Sequence, residues 1–258
     1  MDVLVQIAIG LATAAIGLIA GRVWERAKLF RQYSHVRTLL GPLNKIQIIV
    51  SNVEIPRFKF AMDGSEVIHQ SPRNVLFMPM PEGRAVAALT SLLHKINPKV
   101  RVQLVTASNY DPEIATLSIG GPSVNAFSGK VLSTDFSEFK IEYPAAKRAR
   151  YEGHIFETLR DKDNLLTRDY GFIFLTRTAR GAPCLVFCGV MAFGTAIAVE
   201  LFRSLPHRSE AAQLIRKGRK AFIVAEGSVD GLELHEAAVR LSFCRELPAV
   251  QISAAQMR

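Results

Sequence analysis

Ala115-Thr116-Leu117-Ser118-Ile119-Gly120-Gly121-Pro122-Ser123-Val124-Asn125 is an apolar stretch that runs into two glycines and then a helix-forming segment. A second stretch of like design follows, Cys184-Leu185-Val186-Phe187-Cys188-Gly189-Val190-Met191-Ala192-Phe193-Gly194-Thr195. Each reads as strand, glycine turn, helix. A glycine at a strand end lets the backbone approach a ligand, because no Cβ stands in the way. A helix starting just beyond aims free N–H groups and its positive dipole end at that ligand. Two such turns in one chain predict a cleft for an anionic small molecule, a nucleotide first among them.

The surrounding sequence predicts alternating strands and helices. Strands are expected at Lys45 to Val50, Asn74 to Met78 and Val100 to Thr106. Between the last two, Val86, Leu89, Leu92, Leu93 and Ile96 recur at the three-and-four spacing of an amphipathic helix over Gly83 to Ile96. Strand–helix–strand is the unit of a parallel sheet. Helices are further expected at Val124 to Leu132, Thr195 to Ser204 and Ser209 to Lys217. Phe139 to Tyr143, His154 to Leu159 and Tyr170 to Thr176 read as an antiparallel extension, and Ala221 to Glu226 and Ala238 to Phe243 as two last strands. The alternation predicts an α/β sheet.

The chain has 258 residues, 49% hydrophobic and 21% charged, which fits a folded body and excludes a disordered one. Its 32 Lys+Arg against 23 Asp+Glu give a formal charge of +9. Residues Val3 to Gly21 form an uncharged run whose clearly polar members are Gln6 and Thr13. That is roughly the 18–20 residues a helix needs to cross a bilayer. The two residues before it carry no positive charge and the run is long for a signal peptide. A single transmembrane anchor is therefore expected, against a cleaved signal or a buried helix. Arg22, Arg26, Lys28, Arg31 and Arg37 follow it, which by the positive-inside rule puts the body in the cytoplasm at the inner membrane. A lipid bilayer is the partner expected of residues 3–21, and the basic cluster behind them, lying on anionic headgroups, accounts for five of the surplus charges, so nucleic acid is not needed as a partner. Gly10, Ala14, Gly17 and Gly21 form a small-residue stripe that suits a homo-oligomer.

Chemistry is less legible. Cys184 and Cys188 share one face of a strand and lack flanking ligands, which predicts buried thiols rather than a metal site. No turn matches G-x-G-x-x-G or a Walker A loop. The expected ligand-binding residues are Arg84, Gly120, Gly121, Ser123, Asn125, Gly189, Gly194 and Thr195. Asn125 either caps its helix or bonds a ribose or base, and Ser123 and Thr195 share that ambiguity. Arg84 either supplies charge to a phosphate or sits on the surface. Cleavage of a nucleotide N-glycosidic bond would need a carboxylate beside the ribose; Glu82, Asp111 and Glu226 are candidates. Lys147-Arg148-Ala149-Arg150 reads as a connection, solvated or in contact with a membrane or phosphate.

Gly83-Arg84, Gly120-Gly121-Pro122-Ser123-Val124-Asn125, Asp169-Tyr170-Gly171 and Gly189 to Thr195, in that order, resemble a set of poorly characterised bacterial Rossmann-like domains. These are attached to membrane helices or to signalling and conflict-system modules. The resemblance covers roughly residues 42 to 243 and implies a nucleotide-like ligand without an established reaction. The expected architecture is then α/β: a Rossmann-like, mostly parallel sheet with an antiparallel extension, preceded by a single transmembrane helix. Its parts are an anchor (1–24), a basic juxtamembrane connector (25–41) and the α/β domain (42–258). The expected function is a membrane-anchored sensor or effector that binds a nucleotide-like ligand in signalling or defence. A nucleotide- or NAD-degrading enzyme and a ligand-free structural protein are the alternatives.

Overall fold

Side chains alternate along the central strands and so feed two separate cores. In β11 (Pro183–Gly189), Leu185 and Phe187 enter one, while Cys184, Val186 and Cys188 enter the other. The computed structural model describes residues 3–41, 44–51, 58–62, 65–69, 78–143, 146–230, 233–235 and 238–247, without side chains at 3–5, 7–10, 58–62 and 65–69.

The chain begins with α1 (Val3–Gln32) and α2 (Ser34–Leu40), then β1 (Lys45–Ile49), a hairpin β2 (Phe58–Met62) and β3 (Ser65–His69), α3 (Met80–Ile96) and β4 (Arg101–Val105). It continues through β5 (Ala115–Ile119), α4 (Ala126–Asp135), β6 (Lys140–Glu142), β7 (Arg148–Tyr151), β8 (His154–Glu157), β9 (Leu159–Arg160) and β10 (Leu166–Arg177) to β11. Then come α5 (Ala192–Ser204), α6 (Glu210–Lys217), β12 (Ala221–Asp230), β13 (Glu233–Leu234) and β14 (Arg240–Glu246). The main sheet has the order β13-β12-β10-β11-β5-β1-β4, with β14 beside β12 and β9 beside β10.

Helices α2, α3, α5 and α6 cover one face, packing Val36, Leu89, Leu93, Phe202 and Ile215 onto Ile46, Leu117, Ile173 and Ile223. Helix α4 and the small sheet β6-β7-β8 cover the other, around a cluster of aromatic rings. Phe139 is its hub: its ring lies 4.9 Å from those of Phe172 and Phe174 and 5.5 Å from that of Phe222.

The expected mostly parallel sheet is corrected to a mixed one. β4, β1, β5 and β11 are parallel, but β10 is antiparallel to both β11 and β12, and β12 to β13 and β14. Antiparallel pairing thus builds half of the main sheet instead of extending it. The cause is local. Between Arg177 and Pro183 the chain closes a tight turn, with Thr178 N–H on Ala182 O at 2.8 Å and Gly181 at φ +83°. A link that short joins only antiparallel neighbours, since a parallel crossover needs a dozen residues or more. The expected strand at Asn74 to Met78 lies, up to residue 77, outside the described residues; β1 supplies the first strand of the strand–helix–strand unit. Arg148 to Arg150, expected in a connection, belong to β7, where Arg148 and Arg150 pair with Glu142.

The transmembrane anchor is also corrected: among the described residues no helix is long and apolar enough to cross a membrane. The run expected to span is the first part of α1, which continues unbroken into the basic stretch from Arg22 to Arg31. Side chains of Val3 to Val5 and Ile7 to Gly10 lie outside the described residues. The single-pass, inner-membrane location rested on that anchor and is withdrawn with it. Leu11, Ile16, Leu18, Ile19 and Trp24 stand exposed along the helix.

Truncating the aromatic hub tests the second core. Phe139→Ala is expected to lower unfolding free energy by about 3–5 kcal/mol, as large-to-small changes at buried rings do, read by urea denaturation.

Candidate functional site

Strands β1, β5 and β11 end at one edge of the sheet. After β1 the chain returns through α3 on one face; after β5 it leaves through α4 on the other. The two connections diverge there, which makes the carboxyl ends of β1 and β5 the topological switch point where open α/β sheets place ligands. Gly120 N–H donates to Phe187 O at 2.9 Å, holding the first glycine turn against β11. A Cβ built on Gly121 would meet Gly189 O at 3.8 Å, so the two turns lie side by side.

The turns differ in what their glycines do. Gly189 and Gly194 are in such close contact that a Cβ on either would strike the other's backbone, and one on Gly194 would strike Tyr170 O. Gly171, which pairs with Gly189 across β10 and β11, has no room for a Cβ beneath Gly194 O and Ala198 N. These three glycines let α5 sink onto two strands. The helix end they bring down is already occupied. Asp169, fully buried, accepts from Tyr170 N–H at 2.8 Å and Met191 N–H at 3.3 Å through Oδ1, and from Gly194 N–H at 2.5 Å through Oδ2. Burial pushes its carboxyl up to about 7, against the pull of those three donors and of Arg160. Thr195 is buried in the same turn of helix.

Asn125 is likewise engaged within the protein. Its Oδ1 accepts from Phe127 and Ser128 N–H at 3.1 and 3.3 Å, capping α4, while its Nδ2 donates to Ile119 O at 2.8 Å and Ser118 Oγ at 3.1 Å. The cap role expected of an Asn before a helix is the one it takes. Ser123 is exposed on the turn between.

At the third helix end, Glu82 in the first turn of α3 is buried and accepts from Ser51 Oγ at 2.7 Å. Burial raises its carboxyl above the usual carboxylate range, with the Ser51 hydrogen bond pulling the other way. Gly120, at φ +104°, lies against this pair: a Cβ there would strike Ser51 Oγ and come within 3.1 Å of Glu82 Oε1. Arg84 is exposed two residues further along α3, about 200° around the helix from Glu82, and does not converge on the glycines.

The structure therefore gathers Gly120, Gly121, Gly189, Ser51 and Glu82 at the switch point, assigns Gly194, Thr195 and Asn125 to packing and capping, and leaves Arg84 apart. Of the other carboxylates, Asp111 precedes β5 at the opposite edge. Burial works to raise Glu226, yet hydrogen bonds from Arg240 and Tyr170 and the charge of Arg168 hold it below its usual value. Cys184 and Cys188 are buried free thiols; burial pushes Cys184 up to about 12 and Cys188 higher still. Among the described residues no cluster of three or more His, Cys, Asp or Glu could hold a metal ion. Ser51 has no sequence signal, since it follows β1 by two residues and matches no motif. Asp169 had one, the Asp-Tyr-Gly at which β10 passes from half-buried to buried. No family model, curated protein or solved structure matches the chain.

Asp169 gives a pH prediction. Its folded pKa, about 7, exceeds the ordinary 3.8, so between these values the folded state binds more protons than the unfolded one. Stability from this group is then greatest below about pH 4 and falls as pH rises toward 7, by on the order of a few kcal/mol. Asp169→Asn is expected to flatten that part of the profile when unfolding free energy is measured between pH 4 and 8.

Proposed function

We propose that the chain binds a nucleotide-like small molecule over Gly120, Gly121 and Gly189. What supports the reading is one observation: two glycine turns lie in contact at the topological switch point of the sheet. The ligand approaches backbone at Gly121, whose missing Cβ leaves space, and not the helix ends, which Asn125 and Asp169 occupy. Ser51 and Glu82, buried and bonded to each other beneath Gly120, support the turn from below.

Gly121 is the position that separates binding from folding. A Cβ built there meets nothing closer than Gly189 O at 3.8 Å, so Gly121→Val is expected to obstruct approach to the backbone while the fold is kept. Isothermal titration of the full chain against ATP, NAD and cyclic nucleotides is expected to give saturable binding with at least one. Gly121→Val is expected to weaken it about tenfold or more, roughly 1.4 kcal/mol, at unchanged melting temperature. Absence of saturable binding by the native chain, or equal affinity in the variant, ends the reading.

One observation favours a second reading, breakdown of the bound nucleotide. Of the three candidate carboxylates, Glu82 alone combines burial, a raised pKa and a place at the switch point, the environment of a general acid. Chromatography of NAD or ATP incubated with the native chain and with Glu82→Gln separates this reading from simple binding.

A further inference from the structure

The sheet's opposite edge carries a different surface. There the basic half of α1 and the end of α2 meet the carboxyl end of α3, ahead of β1 and β4. Between them lies a cavity of about 390 Å³, within the size range of small-molecule sites. Arg26, Arg37 and Lys95 line it, with Leu29, Phe30 and Ile96 among the apolar walls and no acidic residue in the lining.

Three cations facing one hollow repel each other unless an anion joins them. None of the three forms an ion pair among the described residues. Two of them are steered by rings instead: the Arg37 guanidinium sits 4.0 Å over Phe30, and the Lys95 ammonium 5.7 Å over Tyr33. Such contacts orient a cation while leaving its hydrogen-bond donors available. Beyond the hollow the same edge carries Arg31, which donates to His207 Nε2 at 3.3 Å, and Arg216, which donates to His207 O at 2.5 Å. No compensating carboxylate appears in these contacts. Phosphate suits this set, because Arg and Lys bind it through charge-assisted hydrogen bonds and the apolar walls accept what the phosphate is attached to.

We propose that the cavity between α1, α2 and the end of α3 is a second binding site, for a phosphate group attached to an apolar or aromatic moiety. The site is independent of the glycine turns and lies at the other edge of the sheet from them. A phospholipid headgroup and a soluble phosphomonoester share this chemistry, and the test distinguishes them.

The full chain is titrated with phenyl phosphate, and co-sedimented with vesicles of phosphatidylglycerol in phosphatidylcholine against phosphatidylcholine alone. The native chain is expected to bind at least one phosphate probe. Arg26→Ala/Arg37→Ala/Lys95→Ala, three exposed positions, is expected to weaken that binding about tenfold or more. Lys140→Ala/Lys162→Ala/Arg180→Ala removes the same charge elsewhere on the surface and is expected to leave binding nearly unchanged, as is Gly121→Val. Binding of phenyl phosphate identifies a soluble source, and binding confined to the anionic vesicles a lipid one; either supports the site. Failure to bind both probes overturns it, as does equal binding by the first triple variant or equal weakening by the second. Because Gly121→Val acts at the other edge, loss of nucleotide binding there and loss of phosphate binding here are separate results.

Discussion

Asp169 ties three parts of the chain together through one carboxylate. Its own strand, β10, turns back into β11, and β11 runs into α5; the carboxylate accepts N–H groups from β10 and from the start of α5. A helix leaves its first N–H groups without partners, and burying them unpaired costs more than a hydrogen bond returns. Asp169 satisfies two of them and so allows the end of α5 to be buried. The glycines follow from this. For the helix end to reach the carboxylate, α5 must descend until backbone touches backbone at Gly171, Gly189 and Gly194. Any side chain larger than hydrogen at those points would lift the helix off its anchor.

The same arrangement redistributes charge between the two edges. At the carboxyl edge the starts of α3, α4 and α5 receive Glu82, Asn125 and Asp169, so two of three positive dipole ends face acidic side chains of the protein itself. At the amino edge Arg26, Arg37 and Lys95 line one hollow that has no acidic residue in its lining. The hollow beside α1 and α2 is thus a local centre of positive charge, while the carboxyl edge has its helix ends met by side chains of the protein.

Much of this was legible in the residues. The core strands Lys45–Ile49, Ala115–Ile119 and Pro183–Gly189 announce themselves as apolar runs, and α3 by its spacing. The glycine turns are legible as strand ends followed by helices; that Gly121 lies beside Gly189 is not. What eluded the sequence were relations set by partners far along the chain. That Gly194 packs on Tyr170, or that Asp169 reaches Met191, depends on the β10–β11 hairpin register, Gly171 opposite Gly189. A short turn between two strongly apolar strands was the available clue to antiparallel pairing. Ser51 shows the limit: its partner Glu82 is distant in sequence and joined to it through residues that carry no pattern. In α1 an uncharged run looked like a span, and hydropathy alone does not register the continuous basic helix to which it belongs.

Two neighbouring glycines, Gly120 and Gly121, illustrate why a glycine-rich turn is ambiguous until its surroundings are known. Gly120 takes φ +104°, a conformation that side chains resist, and has the Ser51–Glu82 pair where a Cβ would go. Its requirement is internal: it exists so that a buried carboxyl can sit beside β5. Gly121 has neither constraint, since its backbone is not left-handed and its nearest neighbour is an ordinary contact away. Packing supplies no reason for a missing side chain there. Of the glycines at the switch point, Gly121 is therefore the one whose substitution can report on the proposed ligand without first disturbing the fold.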